Sequence, residues 1–239
     1  MTRVSAIAAA ASLLGGALLL GSTPAAHRLV TIVESQSYMG AHDMDHAWME
    51  VAAGAGFDAR IEPQSFLDGS FAGTDVLVLS SGVINLPAAR EKALVDFLRG
   101  GGRVYLQAEY LESYETTAAF PRIVAALGGK FKWTEETHAD LNPMAVLGRF
   151  GAGSPPVAPL SYFWHGVAGS GAAPAIEAFL RWEGKDYGFS FTPPASACAL
   201  LVTTTDQDWV LKRTSPALMK SILAVLADRS GCQDTPKAP

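Results

Sequence analysis

Between residues 28 and 130 the apolar positions come in two forms that take turns along the chain. One form is the short, mostly apolar run: Leu29 to Val33, Asp75 to Leu79 and Arg103 to Leu106, with Phe57 to Ile61 a further short strand. Such runs read as buried strands, because both faces are apolar and β-branched residues are frequent. The other form is a stripe at helical spacing. From about Asp43 to Ala53, Met44, Ala47, Trp48, Val51 and Ala52 recur at i, i+3, i+4, i+7 and i+8, and Gly54 and Gly56 stop the run. A second helix is expected from a cap at Asn85, with Pro87 in its first turn, to Arg99 before Gly100, Gly101 and Gly102. A third, short one spans Phe120 to Leu127, closed by Gly128 and Gly129. Apolar strands alternating with helices imply an α/β domain, its parallel sheet covered on both faces.

Residues 131–195 break this rhythm. They hold half of the prolines, several aromatics and glycine-rich turns, which predicts short strands in an irregular β-rich insertion. Regularity returns with a strand at Ala197 to Thr203 and a helix from about Ser215 to Leu226, completing the same α/β pattern. The expected organisation is therefore a single domain over 27–230, with the insertion inside it and a loose tail at 231–239.

The first residues follow a different rule. Arg3 precedes an uncharged stretch from Val4 to Leu20 rich in Ala and Leu, then small residues up to Ala26. That is the layout of a secretory signal peptide, residues 1–26, with cleavage near Ala26. The apolar core is shorter than the ~20 residues of a membrane-spanning helix. The expected protein is exported, periplasmic or secreted, with no membrane span in the mature chain. Its net charge of −5 argues against nucleic acid as a partner. An oxidising compartment gives the two cysteines, Cys198 and Cys232, two readings. They pair and pin the tail, or they stay as one buried and one loose thiol.

The string DVLVLSSGVINLPAAREKALVDFLRGGGRVYLQAEY at residues 75–110 resembles the core of the class I glutamine amidotransferase-like superfamily, nearest to its ThuA-like branch. LGGKFK, LVTTTDQDWV and SPALMKSILAVL resemble later landmarks of the same branch. The resemblance implies a flavodoxin-like sheet. It also implies where the family's chemistry would stand: a Cys nucleophile on the turn after the fourth strand, and a His after the last strand. Gln107, Ala108 and Glu109 occupy the first place, and Asp206, Gln207 and Asp208 the second. Without thiolate and imidazole the acyl-enzyme route has no attacking atom and no proton shuttle. Glutaminase activity is not expected.

Ligands in open parallel sheets sit beyond the carboxyl ends of the strands. Those ends supply Glu34 and Gln36, Ser81, then Gln107, Glu109 and Tyr110, then Asp206 and Asp208, with His165 of YFWHG reaching over from the insertion. Acidic, amide and aromatic groups on one rim fit a small polar ligand such as a sugar, or an envelope protein. No cofactor is called for. A second reading keeps hydrolysis open, through carboxylate pairs such as Glu109 with Asp206 or Asp208, or through a metal on His42 and His46 of HDMDH. Those histidines stand i, i+4 with Asp43 and Asp45 beside them. They lack the intervening Glu of a metalloprotease, so a solvated helix face explains them as well.

Overall fold

The computed structural model describes residues 28–35, 44–111, 114–138, 144–151, 157–158, 166–172, 174–205 and 216–232. Residues 1–26, read above as a signal peptide, and Gln36, His42, His165, Asp206 and Asp208 all lie outside these residues.

Five parallel strands make one half of the main sheet: β2 (Asp58–Glu62), β1 (Leu29–Val33), β3 (Val76–Leu79), β4 (Arg103–Gln107) and β11 (Leu200–Thr204), side by side in that order. Their residues alternate strictly between two cores. Val76, Val78, Tyr105 and Val202 point to one face, where α1 (Met44–Gly54) and α4 (Pro216–Ala227) bring Trp48, Ala52, Ile222 and Leu226. Leu77, Leu79, Val104, Leu106 and Leu201 point to the other, against Leu94 and Leu98 of α2 (Ala88–Arg99) and Phe120 and Ile123 of α3 (Glu115–Ala126). The period of two along a strand thus feeds two separate helix layers. This is the expected α/β, flavodoxin-like arrangement.

The stretch read as an irregular insertion is more ordered than its composition implies. It forms β6 (Met144–Val146), β7 (Val157–Ala158), β9 (Ile176–Trp182) and β10 (Lys185–Phe191), which extend the main sheet beyond β11 in the order β10, β9, β6, β7. Every pairing beyond β11 is antiparallel, so the nine-stranded sheet is mixed. Two more strands, β5 (Phe131–Thr137) and β8 (Gly166–Gly171), pair with each other in a small second sheet.

Two helix starts differ from expectation. Asn85 does not cap α2. Pro87 occupies the cap position, while the Asn85 N–H donates to Gln64 and its carbonyl accepts from Arg90. α3 begins at Glu115, well before Phe120, and runs through Pro121. A proline inside a helix leaves the carbonyl four residues back without its donor. Here that carbonyl is Thr117's, and the Trp133 indole N–H fills the vacancy at 2.7 Å. The exit of α2 follows the glycine rule closely. Gly101 sits at φ +85°, and the Gly102 N–H returns to the Phe97 carbonyl at 2.9 Å.

Candidate functional site

The sheet order sets the carboxyl ends of β1, β3, β4 and β11 next to one another. Of the residues expected there, Ser81, Gln107 and Glu109 come together. Gln107 is buried at the last position of β4, and Ala108 continues the pairing through an N–H donated to the Thr204 carbonyl at 2.8 Å. Glu109 then turns back over β3. Its Oε1 accepts the Gly82 N–H at 2.8 Å and the Gln107 side-chain amide at 2.9 Å. The approach is close enough to require glycine. A Cβ on Gly82 would stand 2.8 Å from both Glu109 Cδ and Tyr114 Cδ2. Ser81 is buried beside it, its hydroxyl accepting the Val83 N–H at 3.3 Å. Tyr110 packs edge-on against Tyr114 with ring centroids 4.9 Å apart.

Glu34 follows β1 and is exposed, its N–H donating to the Glu62 carbonyl at 2.8 Å in continuation of the β1–β2 pairing. Its neighbour Ser35 is buried and donates to Asp45 of α1 at 3.3 Å. His46 lies on the exposed face of α1. Among the described residues no three His, Cys, Asp or Glu side chains converge as metal ligands, and no helix is long and apolar enough to cross a membrane.

The sequence reading missed what holds the rim in place. Three consecutive residues at the start of α3 fasten two loops, the one after β3 and the one after β4. Glu115 Oε2 accepts the Leu86 N–H, and the Thr116 hydroxyl donates to the Gly82 carbonyl at 3.3 Å. The Thr117 hydroxyl bonds both ends of Glu109's backbone, accepting its N–H at 2.8 Å and donating to its carbonyl at 2.7 Å. The small sheet adds a roof. Glu136 of β5 accepts the Leu111 N–H at 2.8 Å, and Thr205 accepts the Val167 N–H of β8 at 3.0 Å. Beneath the rim, the Tyr105 hydroxyl and Thr204 Oγ1 share a hydrogen bond of 2.6 Å, and Trp48 lies against the Tyr105 ring at 4.6 Å. A run Glu-Thr-Thr ahead of an apolar stripe was a signal for this anchor, had α3 been placed early enough.

Chemically, the rim offers a carboxylate, an amide and two tyrosines, and the carboxylate is already engaged by backbone and amide donors. The two cysteines stand elsewhere. Cys198 precedes the amino end of β11, and Cys232 lies beside Arg103 at the amino end of β4, so both are at the opposite pole of the sheet.

No family model matches the chain, and no curated protein matches it. Solved structures do. A GMP synthase component from Thermoplasma acidophilum superposes with a TM-score of 0.54 at 11% identity, covering 86% of this chain and 96% of that one. A ThuA-like protein from Parabacteroides merdae gives 0.56 at 10% identity, covering 88% and 93%. A β-galactosidase from Bacillus circulans sp. alkalophilus gives 0.58 at 9% identity, covering 89% of this chain and 32% of that one. At these identities the likeness is one of fold alone, a fold this chain shares with that GMP synthase component and that ThuA-like protein.

Proposed function

We propose that this protein is an exported binding module on an amidotransferase-like fold, holding a small polar ligand of the carbohydrate class at the strand-end rim and not hydrolysing glutamine. The observation that carries this reading is the state of Glu109. It stands on the turn after β4, where the resemblance places a nucleophile, and its carboxylate is committed to the Gly82 N–H and the Gln107 amide. A carboxylate so held shapes a loop rather than attacking a carbonyl. An acyl-enzyme needs a thiolate or an activated hydroxyl at that point, and the chain's only two thiols lie at the other pole.

Carbohydrate is favoured by what surrounds Glu109. Tyrosine rings supply flat apolar faces, while amide and carboxylate supply directional acceptors and donors, the usual mixture for a polar, neutral ligand. The fold is also shared with part of that β-galactosidase, of which this chain spans about a third of the length. An envelope protein presenting similar polar groups is the other occupant consistent with this rim. Export rests on the signal-like first 26 residues.

The test uses the mature protein. Ammonia release from glutamine is expected to stay at the uncatalysed background. A panel of mono- and oligosaccharides is expected to contain at least one that raises thermal stability, by about 2.7 kcal/mol at a hundredfold excess over its Kd, and the rise should vanish in Tyr110→Ala. Glutamine hydrolysis would overturn the reading. Glycoside hydrolysis abolished by Glu109→Gln would replace it with the carboxylate-hydrolase alternative.

A further inference from the structure

The two thiols form a defined constellation at the amino pole of the sheet, far from the rim. Cys198 stands just before β11 and Cys232 just after α4, both half-buried and unbonded. Cys232 Sγ accepts a hydrogen bond from Arg103 Nη2 at 3.3 Å, and Cys198 stands near the same sulfur, short of disulfide distance. Arg103 is 5% exposed, and its Nη1 donates to the Val225 carbonyl at 3.4 Å. Its Nε has no partner among the described residues. A buried guanidinium is costly without negative charge nearby; Asp228 is close enough for Arg103 to lower its carboxyl, and a thiolate at Cys232 would stand in direct contact with the guanidinium.

The titration of the pair agrees with this placement. Burial pushes the Cys232 thiol up, but hydrogen bonds from Cys198 and Arg103, with the charges of Arg103 and Arg229, bring it below the ordinary cysteine range. Cys198 is pushed up, first by its hydrogen bond to Cys232 and then by burial and its neighbour's negative charge. Cys232 is therefore the thiol that ionises first. A low-lying thiolate beside a second, accessible thiol is the arrangement that undergoes disulfide exchange.

A cavity of about 750 Å³ gives the pair a mechanical consequence. Its lining includes Ala197 and Ala199, on either side of Cys198, and Ser230 and Gly231, immediately before Cys232, with Arg103 and Lys220 between. We propose that Cys198 and Cys232 close into a disulfide by exchange with a small-molecule or protein disulfide, fastening the segment after α4 to the approach of β11 across this cavity. The Cys232 thiolate attacks one donor sulfur, the donor's S–S bond breaks, and one donor thiolate leaves. Cys198 gives its proton to water and attacks Cys232 Sγ in the mixed disulfide, expelling the second donor thiolate. Two protein thiols are oxidised, and one donor disulfide is reduced to two thiols.

The experiment incubates the mature protein with oxidised glutathione, blocks remaining thiols, and reads intact mass, peptide map and thermal midpoint. The expected product has lost two hydrogens and carries a Cys198–Cys232 cross-link. Because the bond closes a loop of about 35 residues, its midpoint should rise by about 10 °C over the reduced form. Cys198→Ser should stop at a glutathione adduct on Cys232, while Cys232→Ser should react markedly more slowly at neutral pH. Arg103→Met removes the hydrogen bond to Cys232 and should slow adduct formation there; should that variant fail to fold, the pH profile of alkylation in the two Cys→Ser variants gives the same answer, with Cys232 titrating below Cys198. Two freely alkylated thiols after oxidation, or a cross-link that leaves the midpoint unmoved, would overturn the proposal.

Discussion

Glu109 Oε1 and the backbone nitrogen of Gly82 stand 2.8 Å apart, joining the turn after β4 to the turn after β3. The bond needs a glycine on one side and a carboxylate on the other, which makes the pair separable by mutation. Gly82→Ala places a methyl against Glu109 and Tyr114 and is expected to cost about 1–3 kcal/mol by overpacking. Glu109→Ala leaves the Gly82 N–H and the Gln107 amide without this acceptor and should cost about 1–3 kcal/mol. Combined, the two changes should be less than additive, since removing the Glu109 side chain makes room for the methyl. Urea midpoints of the four proteins measure this, and strict additivity would show the two residues to be independent.

Trp133 and Pro121 should be coupled in the same way. Trp133→Phe keeps most of the packing against Phe120 and Phe131 but leaves the Thr117 carbonyl unpaired, at a cost of about 1–3 kcal/mol. Pro121→Ala returns a helical N–H to that carbonyl. The Trp133→Phe penalty should therefore shrink in the Pro121→Ala background, as a double-mutant cycle in chemical denaturation can show. An unchanged penalty would mean that the indole contributes through its ring alone.

Tyr105→Phe tests the polar floor of the rim. Tyr105 is fully buried, and its hydroxyl is bonded to Thr204 at 2.6 Å. Losing it should cost about 1 kcal/mol, and pairing it with Thr204→Val should recover part of that loss by removing both partners together. If the double variant is no better than the sum of the singles, the hydrogen bond is not what the tyrosine provides.

Acid should weaken the fold through its surface carboxylates. Hydrogen bonds hold four carboxyls below their ordinary range: Asp68 from Arg90, Asp96 from Lys92, Glu135 from Lys185, and Asp228 from the Ser230 backbone. With folded values below unfolded ones, the unfolded chain binds more protons on acidification. The stabilisation is present above about pH 4 and is lost as pH falls through the folded values. Thermal midpoints from pH 6 down to pH 3 should fall accordingly. Added salt at about 0.5 M should flatten the trend, because all four groups are at the surface.

The parallel half of the sheet was readable because a strand buried on both faces cannot hide its composition: Leu77, Val78 and Leu79 are apolar whichever way they point. α1 was readable for the complementary reason, its Met44–Trp48–Ala52 stripe. α3 was placed too late because Pro121 reads as part of a first turn, whereas the tertiary donor at Trp133 lets the helix run through it from Glu115. β9 and β10 pair with partners chosen by the fold rather than by local pattern, and Arg181, Lys185 and Asp186 at their exposed ends mask the alternation. At the site, Ser81, Gln107 and Glu109 could be found by counting from strand ends. Thr116 and Thr117 could not, since their partners depend on where α3 begins.

The place of β11 has a kinetic consequence. The last strand in sequence fills the middle of the sheet, bonded to β4 on one side and β10 on the other. Until the chain has grown past residue 204, two half-sheets face each other across a gap, each with an open edge of unpaired backbone groups. Such edges recruit other chains, and contacts of long sequence separation form late. Folding should therefore finish in one cooperative step that inserts β11. Substitutions in that strand should slow refolding more than equally destabilising ones in β1 or β2, leaving an intermediate prone to aggregate.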